Sequence, residues 1–113
     1  MLTIKEKGTL FCIIDHCERI EKTIDGVKQE EFYRDIDKKE IVCFNLLQIG
    51  ELAKKLSEVF IGNNSGVPWK KIKGMRDRIV HGYGSIQTEF VWQTASKDIE
   101  PLRRYCELLL KQD

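Results

Sequence analysis

The run DKKEIVCFNLLQIGELAKKLSEVF, residues 37–60, decides the fold. Its apolar residues Val42, Leu46, Ile49, Ala53, Leu56 and Phe60 recur in alternating steps of four and three. That spacing keeps one stripe of an α-helix turned toward a neighbouring helix. Ile41, Leu52 and Val59 widen the stripe, so this helix is expected to be the most buried of the chain. Asp37 followed by Glu40 supplies a capping pattern at its start, in which side-chain oxygens satisfy backbone N–H groups that a helix terminus leaves unpaired.

The same period extends outward on both sides. Toward the N-terminus, Thr3 with Glu6 makes a T-x-x-E capping box, and Leu10, Ile13, Ile14, Cys17, Ile20 and Ile24 mark one helical face that stops at Gly26. Residues 27–36 are charged, with Phe32 and Ile36 as anchors, and fit a short helical turn or two. Beyond the central run, Gly62-Asn63-Asn64-Ser65-Gly66 is a loop and Pro68 opens a helical segment carrying Trp69, Ile72, Met75, Ile79 and Val80 as far as Gly82. Residues 82–85 form a turn, and Thr88 can cap a helix through Phe90, Val91 and Trp92. Pro101 disfavours a helix interior, so a break is expected near Asp98, which then caps a last helix bearing Leu102, Tyr105, Cys106, Leu109 and Leu110. No segment keeps the period-2 alternation of a half-buried strand. The spacing therefore predicts one domain over residues 1–113, an antiparallel all-α bundle of four or five principal helices.

Composition narrows the function. At 113 residues, 42% hydrophobic and 33% charged, the chain has the size and apolar content of one folded domain rather than a disordered segment. A chain this small buries only about two-thirds of its surface alone, so a homo-oligomeric contact that completes the core is expected. With 19 Lys+Arg against 18 Asp+Glu the net charge is +1, which argues against a generic polyanion binder but leaves room for a local basic site. The longest apolar stretches, such as residues 10–14, fall far short of the ~20 residues of a membrane span. The start, with Lys5, Glu6 and Lys7, lacks a signal-peptide pattern. A cytoplasmic protein without a membrane partner is expected. Cys12, Cys17, Cys43 and Cys106 form no C-x-x-C pair and have no histidine at zinc-ligand spacing. All four lie in apolar segments and are expected to be buried, reduced thiols, with neither a disulfide nor a metal.

One stretch stands apart, PWKKIKGMRDRIVHGY at residues 68–83. Between Lys70 and Arg78 it carries five cations (Lys70, Lys71, Lys73, Arg76, Arg78) and one anion, Asp77. It ends on His81, one of two histidines, and on Tyr83 between glycines. A guanidinium fork matches phosphate oxygens, and an imidazole titrates near neutrality and can take and return a proton. Together they suit metal-free cleavage of an RNA phosphodiester, with Arg76 holding the phosphate and His81 moving the proton. The lysines and Arg78 would contact neighbouring phosphates. Five positions along a regular helix separate Arg76 from His81 by about 140° and about 7.5 Å of rise. Convergence therefore requires the helix to end near His81, or a second copy to pool two Arg/His pairs across a two-fold axis. The alternative for these residues is structural: cations in a last helical turn favourably meet the helix dipole. His16 lacks a matching ligand set, and Trp69 and Trp92 suit core anchors better than base-stacking platforms.

Met75-Arg76-Asp77-Arg78-Ile79-Val80-His81-Gly82-Tyr83 resembles the R-x(4–6)-H-x-Y signature of HEPN-domain proteins, specifically the HepT-like ribonuclease toxin family. Ile49-Gly50-Glu51 in the long helix, Val67-Pro68-Trp69 ahead of the motif and Val91-Trp92 after it match the family's layout in order, over nearly the whole chain. The resemblance implies a helical homodimer whose two motifs meet in an interfacial cleft. It also implies metal-independent endoribonuclease activity without a cofactor, as the toxin of a toxin–antitoxin pair. The implied partner is a small MNT-type nucleotidyltransferase antitoxin that adds AMP to the motif tyrosine. By position, Arg76 and His81 become catalytic and Tyr83 the AMP acceptor, where a bulky anion would block the cleft and repel RNA. Many relatives carry Asn where this chain has Asp77, whose carboxylate can orient His81 and raise its pKa; Glu51 can hydrogen-bond a motif residue. Two other readings use the same residues: a non-catalytic HEPN module that docks a nucleotidyltransferase or holds a nucleotide or RNA end, and a helical dimer in which Arg76 and His81 merely bond across the interface.

Overall fold

Thr3 opens the first helix as a complete capping box: its hydroxyl accepts from the Glu6 backbone N–H, and the Glu6 carboxylate accepts from the Thr3 backbone N–H, both at 2.9 Å. The computed structural model describes residues 1–82 and 88–113, with backbone alone for 80–82. Helix α1 spans Ile4–Ile24 and is followed by Gly26 at φ +72°, a left-handed conformation that glycine adopts without strain. Helices α2 (Gln29–Arg34), α3 (Ile36–Ala53), α4 (Glu58–Asn63), α5 (Trp69–Gly82), α6 (Thr88–Gln93) and α7 (Ile99–Gln112) complete the described elements, with a π-helical turn at Thr94–Asp98 joining α6 to α7. Among the described residues there is no strand, so the all-α bundle expected from the spacing is the observed fold. Four long elements, α1, α3, α5 and the α6–α7 rod, make its frame. Its shortest dimension is 19 Å, about two helix diameters.

The seam is buried as its spacing predicts: Val42, Leu46, Ile49, Ala53, Leu56 and Phe60 all lie in the core. The helix that carries it is nevertheless interrupted. The last bonds of α3 tighten to Lys55 N–H→Leu52 O and Leu56 N–H→Ala53 O, and Ser57 then caps α4 by accepting from the Phe60 N–H at 3.0 Å. A serine hydroxyl competes with the helix for backbone donors, so residues 54–57 reset the chain while Leu56 and Phe60 stay in phase. The cap of α3 is Asp35, which accepts from the Lys38 N–H at 3.0 Å, and not Asp37; α4 in turn takes in Gly62 and Asn63, shortening the expected loop. The widening residues are a further correction. Ile41 and Val59 are exposed and Leu52 only half-buried, and the expected anchor Ile36 is exposed as well, leaving Phe32 to seat α2 in the core.

No break occurs at Asp98, whose side chain caps nothing. The chain stays helical from Thr88 to Gln112 because the π turn lies just before Pro101. A proline ring clashes with the carbonyl four residues back and offers it no N–H; a wider turn at that point relieves both problems. Two aromatic contacts seat the remaining elements: Trp69 packs edge-on against Phe60 and donates its indole N–H to Asn64 O at 2.7 Å, while Trp92 lies against Phe32 at 5.1 Å between centroids. His16 has a structural role, donating from Nδ1 to the buried Asn45 Oδ1 at 2.7 Å and so tying α1 to α3.

The cysteines divide. Cys17 and Cys106 are buried, but Cys43 is half-buried and Cys12 exposed. Burial, with the neighbouring Cys106, pushes the Cys17 thiol well above its ordinary range, and burial pushes Cys106 up to about 12. Since the thiolate is the reactive species, a thiol-exchange reagent at pH 8 should modify Cys12 rapidly and Cys43 more slowly. Cys17 and Cys106 should react only after unfolding in urea. Prompt modification of either buried thiol in the native protein would contradict this packing.

Candidate functional site

The site begins with a residue that has no side chain. Gly50 lies where α3 crosses α5, and a Cβ there would stand 3.3 Å from both Ile72 O and Arg76 N. Those two atoms are four residues apart in α5, a donor and acceptor of its own ladder. Glycine thus lets the α3 backbone rest directly on a hydrogen-bonded turn of α5. The next residue, Glu51, reaches across: its Oε1 accepts from Arg76 Nε at 2.8 Å, and Arg76 Nη1 also donates to Asp77 Oδ1 at 3.3 Å. Arg76 and Glu51 remain 44% and 48% exposed. At that exposure the pair contributes about 1 kcal/mol or less to stability, so its main effect is to fix where the guanidinium sits.

Helix α5 turns its core side, Ile72, Met75 and Ile79, inward and presents its cations on the rest of its surface. Arg76 occupies the flank against α3. On the opposite flank, Lys71 pairs with Asp98 at 3.1 Å, and the Arg78 guanidinium carbon stands 3.9 Å from the centre of the Phe90 ring in α6. Lys70 is exposed and Lys73 half-buried. The backbone of α5 is helical through His81 and Gly82, so position 81 lies about 140° round the helix from position 76 and about 60° from position 78. The shorter arc from 76 to 81 passes Lys73 and exposed Asp77, not the core. The two expected catalytic positions are therefore separated on one helix but not walled apart. Asp77 stands one turn before His81 on neighbouring faces. Tyr83 lies outside the described residues.

Of the expected site residues, the structure brings together Glu51, Arg76 and Asp77. It sets Lys71 and Arg78 apart on the other flank, each already engaged within the protein. Sequence reading missed Phe90 as the partner of Arg78 and took Asp98, the partner of Lys71, for a cap. Among the described residues no three His, Cys, Asp or Glu side chains gather as a metal-binding group, and no helix is long and apolar enough to cross a membrane.

The chain has relatives among known proteins. A family model described as ribonuclease HepT-like matches residues 13–109. The protein named "Putative RNase TTE0752" of Caldanaerobacter subterraneus is 32% identical over 101 residues, 89% of this chain and 90% of that one. "Probable ribonuclease HepT" of Thermococcus cleftensis is 29% identical over 106 residues, 86% of this chain and 94% of that one. No solved structure matches.

The crossing itself is testable. The atoms facing Gly50 are backbone and cannot rotate away, so Gly50→Ala introduces strain of about 1–3 kcal/mol. That exceeds the roughly 0.5–1 kcal/mol alanine gains over glycine in a helix interior. Urea unfolding should show Gly50→Ala destabilised, and Glu51→Gln within about 1 kcal/mol of wild type. A stabilised Gly50→Ala protein would mean that the helices do not touch there.

Proposed function

Because the chain belongs to the HepT-like ribonuclease family, we propose that it is a metal-independent endoribonuclease toxin in which Arg76 and His81 cut RNA in a cleft between two copies. The observation that carries this reading is the exposed Arg76 guanidinium held in place by Glu51 across the α3–α5 crossing. In the proposed reaction, His81 removes the proton from a ribose 2′-hydroxyl. The 2′-oxygen attacks the adjacent phosphorus, the bond to the 5′-oxygen breaks, and an imidazolium returns a proton to that oxygen. The products are a 2′,3′-cyclic phosphate and a 5′-hydroxyl. Arg76 donates to the phosphate oxygens, whose charge grows as the new bond forms. Lys70 and Lys73 add favourable potential along the strand.

A homodimer fits three features. Positions 76 and 81 of one helix diverge by about 140°, so pairing across a two-fold axis brings each Arg close to the other copy's His. Ile41 and Phe44, 46% and 53% exposed, lie on the outward side of α3 that also carries Glu51. The fold is thin enough for a second copy to complete it. In this reading a small nucleotidyltransferase antitoxin silences the enzyme by placing AMP on Tyr83, two residues from His81, where phosphate would block the cleft. Carboxylates on both sides of Arg76 favour a second reading, a non-catalytic module that docks the nucleotidyltransferase or holds an RNA end, in which RNA stays intact.

Purified protein should cleave RNA in EDTA and leave cyclic-phosphate ends, and His81→Ala should lose about 10²–10⁴-fold in rate while keeping its oligomeric state. Undiminished cleavage by His81→Ala would reject the assignment; intact RNA with wild type would leave the docking module. Phe44→Glu, at an exposed position, should give a folded monomer by light scattering that no longer cleaves; a dimeric Phe44→Glu protein would move the interface elsewhere. Co-expression with a nucleotidyltransferase should add AMP to wild type and not to Tyr83→Phe.

A further inference from the structure

Arg78 differs from the other engaged cations of α5 in what holds it. Arg76 is positioned by Glu51 and Asp77, and Lys71 by Asp98, so carboxylates offset those charges. Arg78 is positioned by the uncharged face of Phe90, 3.9 Å from its guanidinium carbon, and is still exposed. A ring stacked on a guanidinium covers the face and leaves the N–H edges for acceptors. Phe90 is half-buried against the core, on a helix that Val91 anchors in the core and Trp92 anchors against Phe32. Position 78 lies about one turn from position 81, on the side away from position 76.

We propose that Phe90 and Arg78 form a pre-oriented phosphate subsite for the RNA strand beside the scissile phosphate, with Arg78 as the ligand and Phe90 as the positioning residue. The proposal rests on the ribonuclease reading for the identity of the strand, and it refines the role of Arg78 from one of several surface cations to a built fork. A strand whose scissile phosphate lies between Arg76 and His81 continues over the α6 flank and meets the guanidinium edge there. Lys71 on the same flank is an ammonium paired with Asp98 at 3.1 Å and has no planar fork to orient.

The test separates charge from placement, using a single-stranded RNA analogue with 2′-O-methyl riboses, which binds but cannot be cut. Fluorescence anisotropy over a range of salt gives affinity and the slope of log K against log salt. Arg78→Gln should reduce that slope by about 0.7, the loss of one phosphate contact on a single strand. Phe90→Leu keeps the charge and should leave the slope unchanged while weakening binding about two- to five-fold; Phe90→Tyr keeps the ring and should restore wild-type affinity. The double variant Arg78→Gln/Phe90→Leu should bind like Arg78→Gln alone. Arg78→Lys, which does not depend on altering α6, should keep the slope yet lose affinity. An unchanged slope in Arg78→Gln, or additive losses in the double variant, would overturn the subsite. Cleavage of unmodified RNA is scored separately: wild type that binds in this pattern but does not cut retains the subsite and loses the nuclease, and a cutting wild type whose Arg78→Gln variant keeps the full slope does the reverse.

Discussion

The contact between the backbones of α3 and α5 at Gly50 sets where Glu51 meets Arg76. Any side chain at that point would push on Ile72 O and Arg76 N, atoms of the turn from which Arg76 projects. With none there, the two helices meet at van der Waals distance and the register of α5 on α3 is fixed by backbone rather than by flexible side chains. Glu51 is adjacent in sequence for a geometric reason: glycine makes the close approach, and the next residue emerges beside it within reach of the arginine. An ion pair this exposed adds little to stability. Its geometry persists because the packing beneath it does.

Much of the fold was legible because hydrophobic period is a direct record of burial, and the parts that were not legible are those in which burial and backbone geometry part company. Leu56 and Phe60 stay in phase with the seam across the 54–57 interruption, so the periodicity is identical with or without the break and only the Ser57 bond reveals it. Asp35 and Asp37 both suit a cap, and a hydrogen bond to Lys38 decides between them. The proline rule assumes α-helical geometry; the π turn before Pro101 removes that premise. Ile36, Ile41, Phe44 and Val59 are apolar without being covered, since composition records that a residue avoids water and not which molecule shields it.

The site divides in the same way. Its charges were visible as a cluster within an almost neutral chain, and the resemblance to the family signature pointed to Arg76, His81 and Tyr83. What could not be read was which cation meets which partner. Phe90 is twelve residues from Arg78 and in another helix, and Asp98 is twenty-seven from Lys71. Contacts at that separation depend on how α5 lies beside the α6–α7 rod, which no local pattern encodes.

Under the proposed ribonuclease reading, the two flanks of α5 solve different electrostatic problems. A guanidinium meant to meet a phosphate must be held still beforehand, or ordering it at the moment of binding costs side-chain entropy. Carboxylates position Arg76 but offset its charge, so an incoming phosphate has to displace or share those contacts. An aromatic face positions Arg78 with an interaction of similar size, and among the described residues no carboxylate offsets its charge. Exposed carboxylate pairs in water are readily exchanged, and that makes the first arrangement compatible with binding an anion in a cleft from which water is expelled, where the phosphate's own charge counts for more. In that reading a chain with a net charge of only +1 presents a locally attractive surface to RNA without the broad basic excess of a general nucleic-acid binder, because each arginine is placed before the RNA arrives.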